Sequence, residues 1–286
     1  MIPVSVIVMT RNEAVNLRAC LESVREFREV FVVDSGSTDG TPDIAADMGA
    51  VVVPFMWDGG YPKKKQWCLE RLPFIGDWVL YLDADERLTP ALVRELAALM
   101  RDGPRHAGYF VTGRPVFLGQ RLRFGAANHK LIMMDRHRAS FPVVPDLDVA
   151  TMWEVEGHYQ PVVDGRIGRL KHPLLHEDRK PLSTWFDRHN RYSDWEAALC
   201  NDGRMATLVD RERGLRRVLK HIRSNTPMRP LMVFLHAYVL KLGLLDGRAG
   251  FHHALARAFY HWQVDVKRLT CVSPPTDRRP SRRQAP

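Results

Sequence analysis

Short, nearly continuous apolar runs recur along the first part of the chain and predict buried strands. They lie at Val4–Met9, Glu29–Val33, Val51–Val53 and Trp78–Leu82. Because both faces of such a strand are apolar, the runs are typical of a sheet covered by helices on both sides. Between the runs, apolar residues recur at helical spacing, as they do at Leu17, Leu21, Val24 and Phe27. This alternation predicts an α/β fold with a mostly parallel sheet.

Three polar loops directly follow predicted strands, at Thr10–Glu13, Asp34–Gly40 and Asp83–Glu86. In an open parallel sheet the carboxyl ends of the strands meet at one edge, where ligands bind. The first loop also fits the capping box that opens a helix, and Asp39 is expected to cap the helix that follows it. The three loops together therefore predict one ligand site at the edge of the sheet.

The third loop contains two carboxylates, Asp83 and Asp85, which are separated by one residue. They point the same way if the strand's period of two continues through them. Such oxygen ligands suit Mg²⁺ or Mn²⁺, and an Mg²⁺ site needs few protein carboxylates because substrate phosphates complete its shell. We therefore expect a metal-dependent nucleotide site. For this motif taken alone, a solvated turn before a helix is the alternative interpretation.

The pattern loosens beyond about residue 113 and becomes helical again towards the C-terminus. Leu182–Leu199 reads as a helix, and Leu231–Leu245 is an apolar run that contains His236 and Lys241. A last helix is predicted from Gly250, with one apolar stripe formed by Phe251, Leu255, Phe259, Trp262, Val266 and Leu269. Residues 273–286 are rich in Pro and Arg and are predicted to be a disordered tail.

The charge composition of the chain predicts an anionic partner. The chain has 286 residues with Lys+Arg 42 and Asp+Glu 33, a formal net charge of +9. This charge suits a nucleic acid, a phosphorylated substrate or an anionic membrane surface. The basic residues are scattered, and the acidic loops would repel phosphate without a metal, so a nucleic acid is not expected. The four cysteines lack zinc-site spacing, and neither a signal peptide nor a membrane span is predicted, which favours the cytoplasm.

The three loops together resemble those of the family-2 glycosyltransferases with the GT-A fold. The resemblance lies in Thr10–Glu13, in Val32–Thr41 and in Asp83–Glu86. The later segment Lys241–Gly250 resembles bacterial members that build lipopolysaccharide core and related cell-surface glycans. The resemblance implies a Rossmann-like GT-A domain that inverts the configuration of the sugar it transfers. It also implies a nucleotide-diphosphate sugar donor, with a UDP-sugar favoured, and a glycan or glycolipid acceptor.

The same resemblance implies roles for individual residues. The donor site would contain Thr10, Asn12, Glu13, Asp34, Lys65, Asp83 and Arg191. Asp85 would hold the Mg²⁺ or Mn²⁺ ion, and His176 would complete its shell unless it is an ordinary loop histidine. The run that contains Lys65 is otherwise a solvated charged face. Arg191 belongs to a Gln-x-x-Arg-Trp-like element in which Arg188 and Tyr192 replace Gln and Trp, which puts polymerising activity in doubt.

Inversion also needs a general base on the acceptor hydroxyl. In this family the base is generally a carboxylate, and the candidates are Glu156, then Glu154 and Asp148. Each of these could instead form a surface salt bridge. His158 is a further candidate, because the unperturbed pKa of histidine lies near neutrality.

Domain boundaries follow from these assignments. Residues 1–112 are expected to form the nucleotide-sugar-binding half, residues 113–205 the acceptor half of the same domain, and residues 206–272 a helical extension. Because the apolar run is too short to span a bilayer, the extension is expected to rest on the inner face of the cytoplasmic membrane, or else to pack on the domain's own core.

Two other enzyme-related interpretations remain open at this point. A sugar nucleotidyltransferase usually opens with a Gly-rich phosphate loop, and Thr10–Glu13 contains no glycine. A glycosyltransferase-like protein without activity is the other alternative, and the intact pair of Asp83 and Asp85 argues against it.

Overall fold

Within the described part of the chain, the strands form one ten-stranded mixed sheet and a separate two-stranded ribbon. The computed structural model describes residues 1–144, 146–149, 152, 154–155, 160–204, 226 and 228–270. In chain order the strands are β1 Ile2–Thr10, β2 Phe27–Asp34, β3 Val51–Pro54, β4 Trp78–Asp83, β5 Glu86–Leu88, β6 Gly108–Phe117, β7 Gln120–Arg121, β8 Asn128–Asp135, β9 Ala139–Ser140, β10 Val162–Val163, β11 Ile167–Arg169 and β12 Leu174–His176.

Helices cover both faces of the sheet and form the C-terminal region. They are α1 Ala14–Glu22, α2 Thr41–Asp47, α3 Lys64–Arg71, α4 Pro90–Asp102, α5 Leu182–Asn201, α6 Arg229–Leu235 and α7 Gly247–Thr270. A π-helical turn at His236–Leu240 and a 3₁₀ turn at Gly243–Asp246 connect the last two. The tail predicted from residue 273 lies outside the described residues.

The main sheet has the order β3-β2-β1-β4-β8-β6-β12-β5, and β7 and β11 also pair with β6. The first four strands are parallel, whereas β8 runs antiparallel to both of its neighbours. The predicted α/β class is therefore confirmed, with a mixed rather than a purely parallel sheet. The expected boundary at residue 112 falls within β6, so the two predicted halves share one sheet.

The register of the parallel strands brings the three polar loops to one edge. Thr10 of β1 lies opposite Asp34 of β2, and Met9 lies opposite Asp83 of β4. All three strands therefore end at the same level, as the strand pattern predicted.

Strand β1 is apolar except at Ser5 and Thr10, because it lies between two cores. Val6 and Val8 face the core formed with helices α1, α2 and α4, whereas Ile7 and Met9 face the core formed with α3. Successive side chains of a strand point to opposite faces, so only a strand covered on both sides needs an unbroken apolar run.

The predicted capping box at the start of α1 is wrong. Thr10 is the last residue of β1, and its hydroxyl donates a hydrogen bond of 2.8 Å to the Asp34 carboxylate. Helix α1 begins at Ala14, and its first amide instead donates to the Asp39 carboxylate at 3.0 Å. The Thr10 hydroxyl therefore bonds to the neighbouring strand and does not cap helix α1, as the local pattern had predicted that it would.

The C-terminal helices pack on each other through small residues. Helix α7 buries Ala249, Gly250, Ala254, Ala258 and Val264. A Cβ atom on Gly250 would collide with the carbonyl oxygen of Gly243, so this close approach requires glycine. The Asp246 carboxylate accepts hydrogen bonds from the Arg123 and Phe124 amides at 3.0 and 2.8 Å, which fixes the 3₁₀ turn to the loop before β8.

The predicted apolar stripe of α7 lies on its outer face. Its six residues are between 37% and 86% exposed. Within the described residues, no single helix has the length and hydropathy of a membrane span. Segments Arg229–Leu240 and Gly243–Thr270 reach those values only as a pair, which is bent by 73°.

Candidate functional site

The edge at which the three polar loops meet opens into a cavity of about 1180 Å³. Its walls come from the ends of β1 and β4, from α3 and β6, and from helices α5 and α7. The charged and histidine side chains along it are Arg11, Glu13, Lys64, Lys65, Asp83, Asp85, Glu86, Glu154, His176, Asp178, Lys180, Arg188, His189, Arg191, His253, Arg257 and His261. The cavity therefore joins the predicted nucleotide site to the C-terminal helices.

Lys130 compensates the charge of two acidic residues in this cavity. Its Nζ atom lies 3.0 Å from the Asp83 Oδ2 atom and 2.5 Å from the Glu86 Oε2 atom. Burial favours the neutral form of Asp83, but Lys130 outweighs it and holds the pKa of this carboxyl well below its usual range. Burial raises the pKa of Glu86 in spite of the same lysine. No role was predicted for Lys130 from the sequence. The signal that the sequence offers is the position of this charged residue directly before the apolar run Leu131–Met134.

Asp85 lies beside His176, a residue 91 positions further along the chain. The Asp85 Oδ2 atom is 3.1 Å from His176 Nε2 and 3.8 Å from Arg188 Nη1. Pairing of β12 with β5 produces this contact, because it sets His176 opposite Glu86. Burial opposes the charge of His176, but Asp85 and the neighbouring carboxylates raise the pKa of this imidazole to about 9.

Asp83 and Asp85 do not belong to one continuous strand, so the condition under which they would point the same way is not met. Strand β4 ends at Asp83, and a turn separates it from β5, which begins at Glu86. Asp83 therefore contacts Lys130, while Asp85 contacts His176. Among the residues that the structure describes, no group of three or more His, Cys, Asp or Glu side chains has the arrangement of a metal site.

The loop after β2 is held by the Asp34 carboxylate. This group accepts hydrogen bonds of 2.8 Å from the Thr10 hydroxyl and from the Ser37 amide. Asp34 is buried and does not line the cavity, whereas Thr10 does. Lys64 Nζ donates to the Thr10 carbonyl at 3.1 Å and to the Ser35 hydroxyl at 2.5 Å. Asp34 therefore shapes the wall of the site from behind.

Asn12 fixes the same loop from the outside. It has a φ of 55°, and its Oδ1 atom accepts a hydrogen bond of 2.8 Å from the Thr38 amide. The side chain is exposed and does not line the cavity, in contrast to the predicted role in the nucleoside pocket. Asp39 accepts from the Thr41 amide at 3.2 Å, as expected of a residue at the start of α2, and also from Ala14 at the start of α1.

Glu13 belongs to a partly buried network that was not predicted. Its carboxylate lies 2.5 Å from Lys180 Nζ and accepts a hydrogen bond of 2.8 Å from the Asn16 amide group. Asn16 also donates to Asp178 at 3.0 Å, and Asp178 pairs with Arg188 at 2.8 Å. Asn16 had one signal in the sequence, because this polar residue lies beside Leu17 on the face of α1 that is buried.

The three consecutive lysines have different environments. Lys63 is buried and pairs with Asp146 at 2.8 Å, so it is neither solvated nor in the cavity. Lys64 is also buried and lines the cavity, and burial lowers the pKa of its ammonium group although Glu154 opposes this effect. Lys65, the predicted donor residue, lines the cavity with its Nζ atom 5.8 Å from the centre of the Phe141 ring.

The candidate bases have separate locations. Glu154 lines the cavity, with its Oε1 atom 3.6 Å from Lys64 Nζ. Asp148 lies outside the cavity, where its exposed carboxylate forms an ion pair with Arg204, so its position argues against a role as base. Glu156 and His158 lie outside the described residues.

Arg191, which was predicted to be a donor residue, lines the cavity.

The chain matches the family described as Glycosyl transferase family 2 over residues 5–120. The lipopolysaccharide core biosynthesis glycosyltransferase LpsC of Rhizobium meliloti is 34% identical over 122 residues, which are 41% of this chain and 44% of the relative. An uncharacterized glycosyltransferase of Rickettsia conorii is 42% identical over 94 residues, 32% of each chain. A TPR repeat-containing protein of Synechococcus elongatus is 26% identical over 270 residues, which are 87% of this chain and 63% of the relative. The chain thus spans less than two thirds of each of these relatives.

The chain is also similar to solved structures of glycosyl-transferring enzymes. The mannosyltransferase PcManGT from Pyrobaculum calidifontis, in complex with GDP-Man and Mn²⁺, is similar with a TM-score of 0.47 and 18% identity, over 93% of this chain and 87% of that one. Glucosyl-3-phosphoglycerate synthase from Mycobacterium tuberculosis, in complex with Mg²⁺ and UDP, has a TM-score of 0.40 and 19% identity, over 69% and 78%. The family match covers the three polar loops, and the mixed sheet flanked by helices confirms the predicted α/β class.

Proposed function

We propose that the chain, which matches Glycosyl transferase family 2 over residues 5–120, transfers a sugar from a nucleoside-diphosphate donor to a cell-envelope glycan or glycolipid. The observation that carries the proposal is the cavity, whose lining includes the carboxylates of Asp83 and Asp85 together with His176, Arg188 and Lys64. A UDP-sugar is the favoured donor, and the transfer inverts the anomeric configuration. The similarity to LpsC supports a lipopolysaccharide-type acceptor.

The acidic loop and its partners suit the diphosphate part of such a donor. Asp85 would hold Mg²⁺ or Mn²⁺ together with His176, which would give up its proton when the ion binds. An oxygen and a nitrogen donor 3.1 Å apart suffice when substrate phosphates supply the other ligands. The ion, when bound, stabilises the charge of the departing diphosphate. Arg188 and Arg191 line the same cavity and would bind phosphate oxygens with their planar guanidinium groups.

The remaining donor residues act at the nucleoside and the sugar. Thr10, Glu13 and Asp83 line the cavity and contact the donor, with Lys130 holding the Asp83 carboxylate in place at 3.0 Å. Asn12 and Asp34 act indirectly, because their hydrogen bonds fix the loop that forms the wall of the site.

Glu156 remains the proposed base, with Glu154 second. A general base must come within hydrogen-bonding distance of the acceptor hydroxyl. Glu154 is accessible to an acceptor in the cavity, since it lines the cavity beside Lys64. The acceptor hydroxyl would approach from the side of helices α5 and α7, whose residues form the other wall.

Calorimetric titration tests the donor site directly. UDP, GDP, CMP and ADP are titrated into the full chain with Mn²⁺, with Mg²⁺ and with EDTA. We expect one nucleoside diphosphate to bind, and to bind only with the metal. Binding of none of them contradicts the proposal. The anomeric configuration of the product, read by NMR from the matching donor, tests inversion, and retention of the donor's configuration would exclude it.

We also propose that the C-terminal helices contact the inner face of the cytoplasmic membrane. A large apolar surface supports this proposal, because soluble monomers rarely expose contiguous apolar patches of this kind. Its exposed residues are Leu231, Met232, Leu235, Val239, Leu240, Leu242, Leu244, Leu245, Phe251, Leu255, Phe259, Trp262, Val266 and Leu269. The net charge of +9 adds attraction to an anionic leaflet.

Sedimentation with vesicles that contain anionic lipid tests the membrane contact. We expect the full chain to sediment, and L269D to sediment less. M56D is the matched control, because Met56 is 92% and Leu269 86% exposed, and Met56 lies after β3, away from the C-terminal helices. Equal loss in both variants, or no sedimentation of the unmodified chain, contradicts the proposal.

A further inference from the structure

A second, smaller cavity of about 370 Å³ lies beside the main one. Its walls are formed largely by apolar residues of α6 and the π-helical turn that follows. Among them Met232, Leu235 and Leu240 are 42%, 44% and 72% exposed, so this groove opens onto the apolar surface described above. A groove of this kind suits an apolar ligand that enters from that surface.

The groove and the main cavity adjoin each other. Ala126, Arg257 and His261 line both of them. The Arg257 guanidinium donates a hydrogen bond of 3.5 Å to the Ala126 carbonyl, which holds it at the junction. A molecule that occupies the groove therefore has one end beside the cavity that contains Asp83 and Asp85.

The junction is rich in groups that suit an anion. Arg257 and His261 come from α7, and His236 comes from the π-helical turn. Arginine binds phosphate oxygens through paired N–H donors, and histidine adds a further donor. In the described part of the groove's lining there is no carboxylate, so an anionic group meets no like charge there.

We propose that the groove binds the hydrocarbon chain of an anionic, lipid-linked acceptor, with the phosphate at Arg257 and His261. The acceptor's sugar hydroxyl then points into the main cavity, towards the donor. This inference rests on the proposed glycosyl transfer and names the class of its acceptor. It follows from three observations: the groove is apolar, it opens onto the apolar surface, and its inner end is basic.

Calorimetry with alkyl phosphates, below their critical micelle concentrations, tests this assignment. The probes are inorganic phosphate, butyl phosphate, hexyl phosphate and octyl phosphate, with octyl maltoside as the uncharged control. Each buried methylene raises affinity by up to about fourfold, so we expect affinity to rise steeply with chain length. Equal binding of inorganic and octyl phosphate would reduce the site to a phosphate site. Equal binding of octyl maltoside and octyl phosphate would exclude recognition of the charge.

Matched variants locate the binding. L235E places a charge in the groove, whereas L231E places one on the same helix outside it, and the two leucines are 44% and 47% exposed. We expect L235E to lose at least tenfold in affinity for octyl phosphate, and L231E to stay within twofold. R257Q should lose affinity for every phosphate probe, with R248Q, an exposed site on α7, as its control. Circular dichroism shows that each variant is folded, and equal loss in L235E and L231E would overturn the groove assignment.

Nucleotide titrations on the same preparations separate the two proposals. If a nucleoside diphosphate binds and the alkyl phosphates show no dependence on chain length, the groove assignment is wrong and glycosyl transfer stands. If no nucleotide binds, glycosyl transfer fails, and the assignment of the groove to an acceptor fails with it.

Discussion

Replacing Lys63 by methionine would leave the Asp146 carboxylate buried without its cation. The Lys63 Nζ atom lies 2.8 Å from Asp146 Oδ2, and both side chains are 1% exposed. Two neutral donors remain on this carboxylate, namely the Tyr61 hydroxyl at 2.7 Å and the Trp195 indole N–H at 3.0 Å. The pair therefore joins the N-terminus of α3 to the segment before Asp148 and to α5.

The expected loss of stability follows from this geometry. Removal of one partner from a buried ion pair costs about 3–5 kcal/mol, because the other charge stays desolvated. The two remaining hydrogen bonds, and the similar size of methionine, favour the lower end, so we expect K63M to lose about 3 kcal/mol. K65M is the neighbouring control. Its ammonium lies over the Phe141 ring at 5.8 Å, and such a contact contributes about 1 kcal/mol or less at a partly exposed site.

Urea unfolding at neutral pH, followed by tryptophan fluorescence, measures the difference in the free energy of unfolding. Trp195 contacts Asp146 and so reports on the same site. The double variant K63M/D146L should recover much of the loss, because both charges are removed together. If K63M lost no more stability than K65M, the buried ion pair and the argument built on it would be refuted.

Three further predictions concern the site and the C-terminal helices. D85N should lower metal-dependent nucleotide affinity by about 100-fold or more; unchanged affinity by calorimetry removes Asp85 from the metal site. D34A should weaken nucleotide binding at least about tenfold through a displaced loop, with a smaller effect on kcat at saturation, since each lost buried hydrogen bond costs about 1–3 kcal/mol; steady-state kinetics separate the two. Burial opposes the ionisation of Glu196, but the Tyr260 hydroxyl at 2.6 Å and Arg229 at 2.9 Å lower its pKa. A lowered pKa stabilises the fold above the unfolded value of about 4.3 and is lost as pH falls through the folded value, so E196Q should melt lower than wild type at pH 7 and the gap should close below about pH 4; a constant gap contradicts this.

The sequence by itself predicted the first strands and the edge at which their polar loops meet. Nearly continuous apolar runs such as Val4–Met9 predict a doubly covered sheet because burial on both faces leaves few polar positions. The three polar loops then have to meet, since parallel strands end at one edge. These inferences need only local periodicity and a rule of topology. The same locality explains the error at Thr10, whose hydroxyl matches a capping box but bonds to a neighbouring strand.

Only the tertiary structure decided which side chains share the site and which surfaces stay exposed. His176 reaches Asp85 through the pairing of β12 with β5. Lys130 lies on β8 and reaches Asp83 at the end of the neighbouring strand β4. The apolar stripe of α7 suited a buried face equally well by its spacing, yet the small residues on the other side pack inwards. The physical reason is the same in each case: burial and ion pairing depend on groups far away in the sequence, and the local pattern of one segment does not identify its partners.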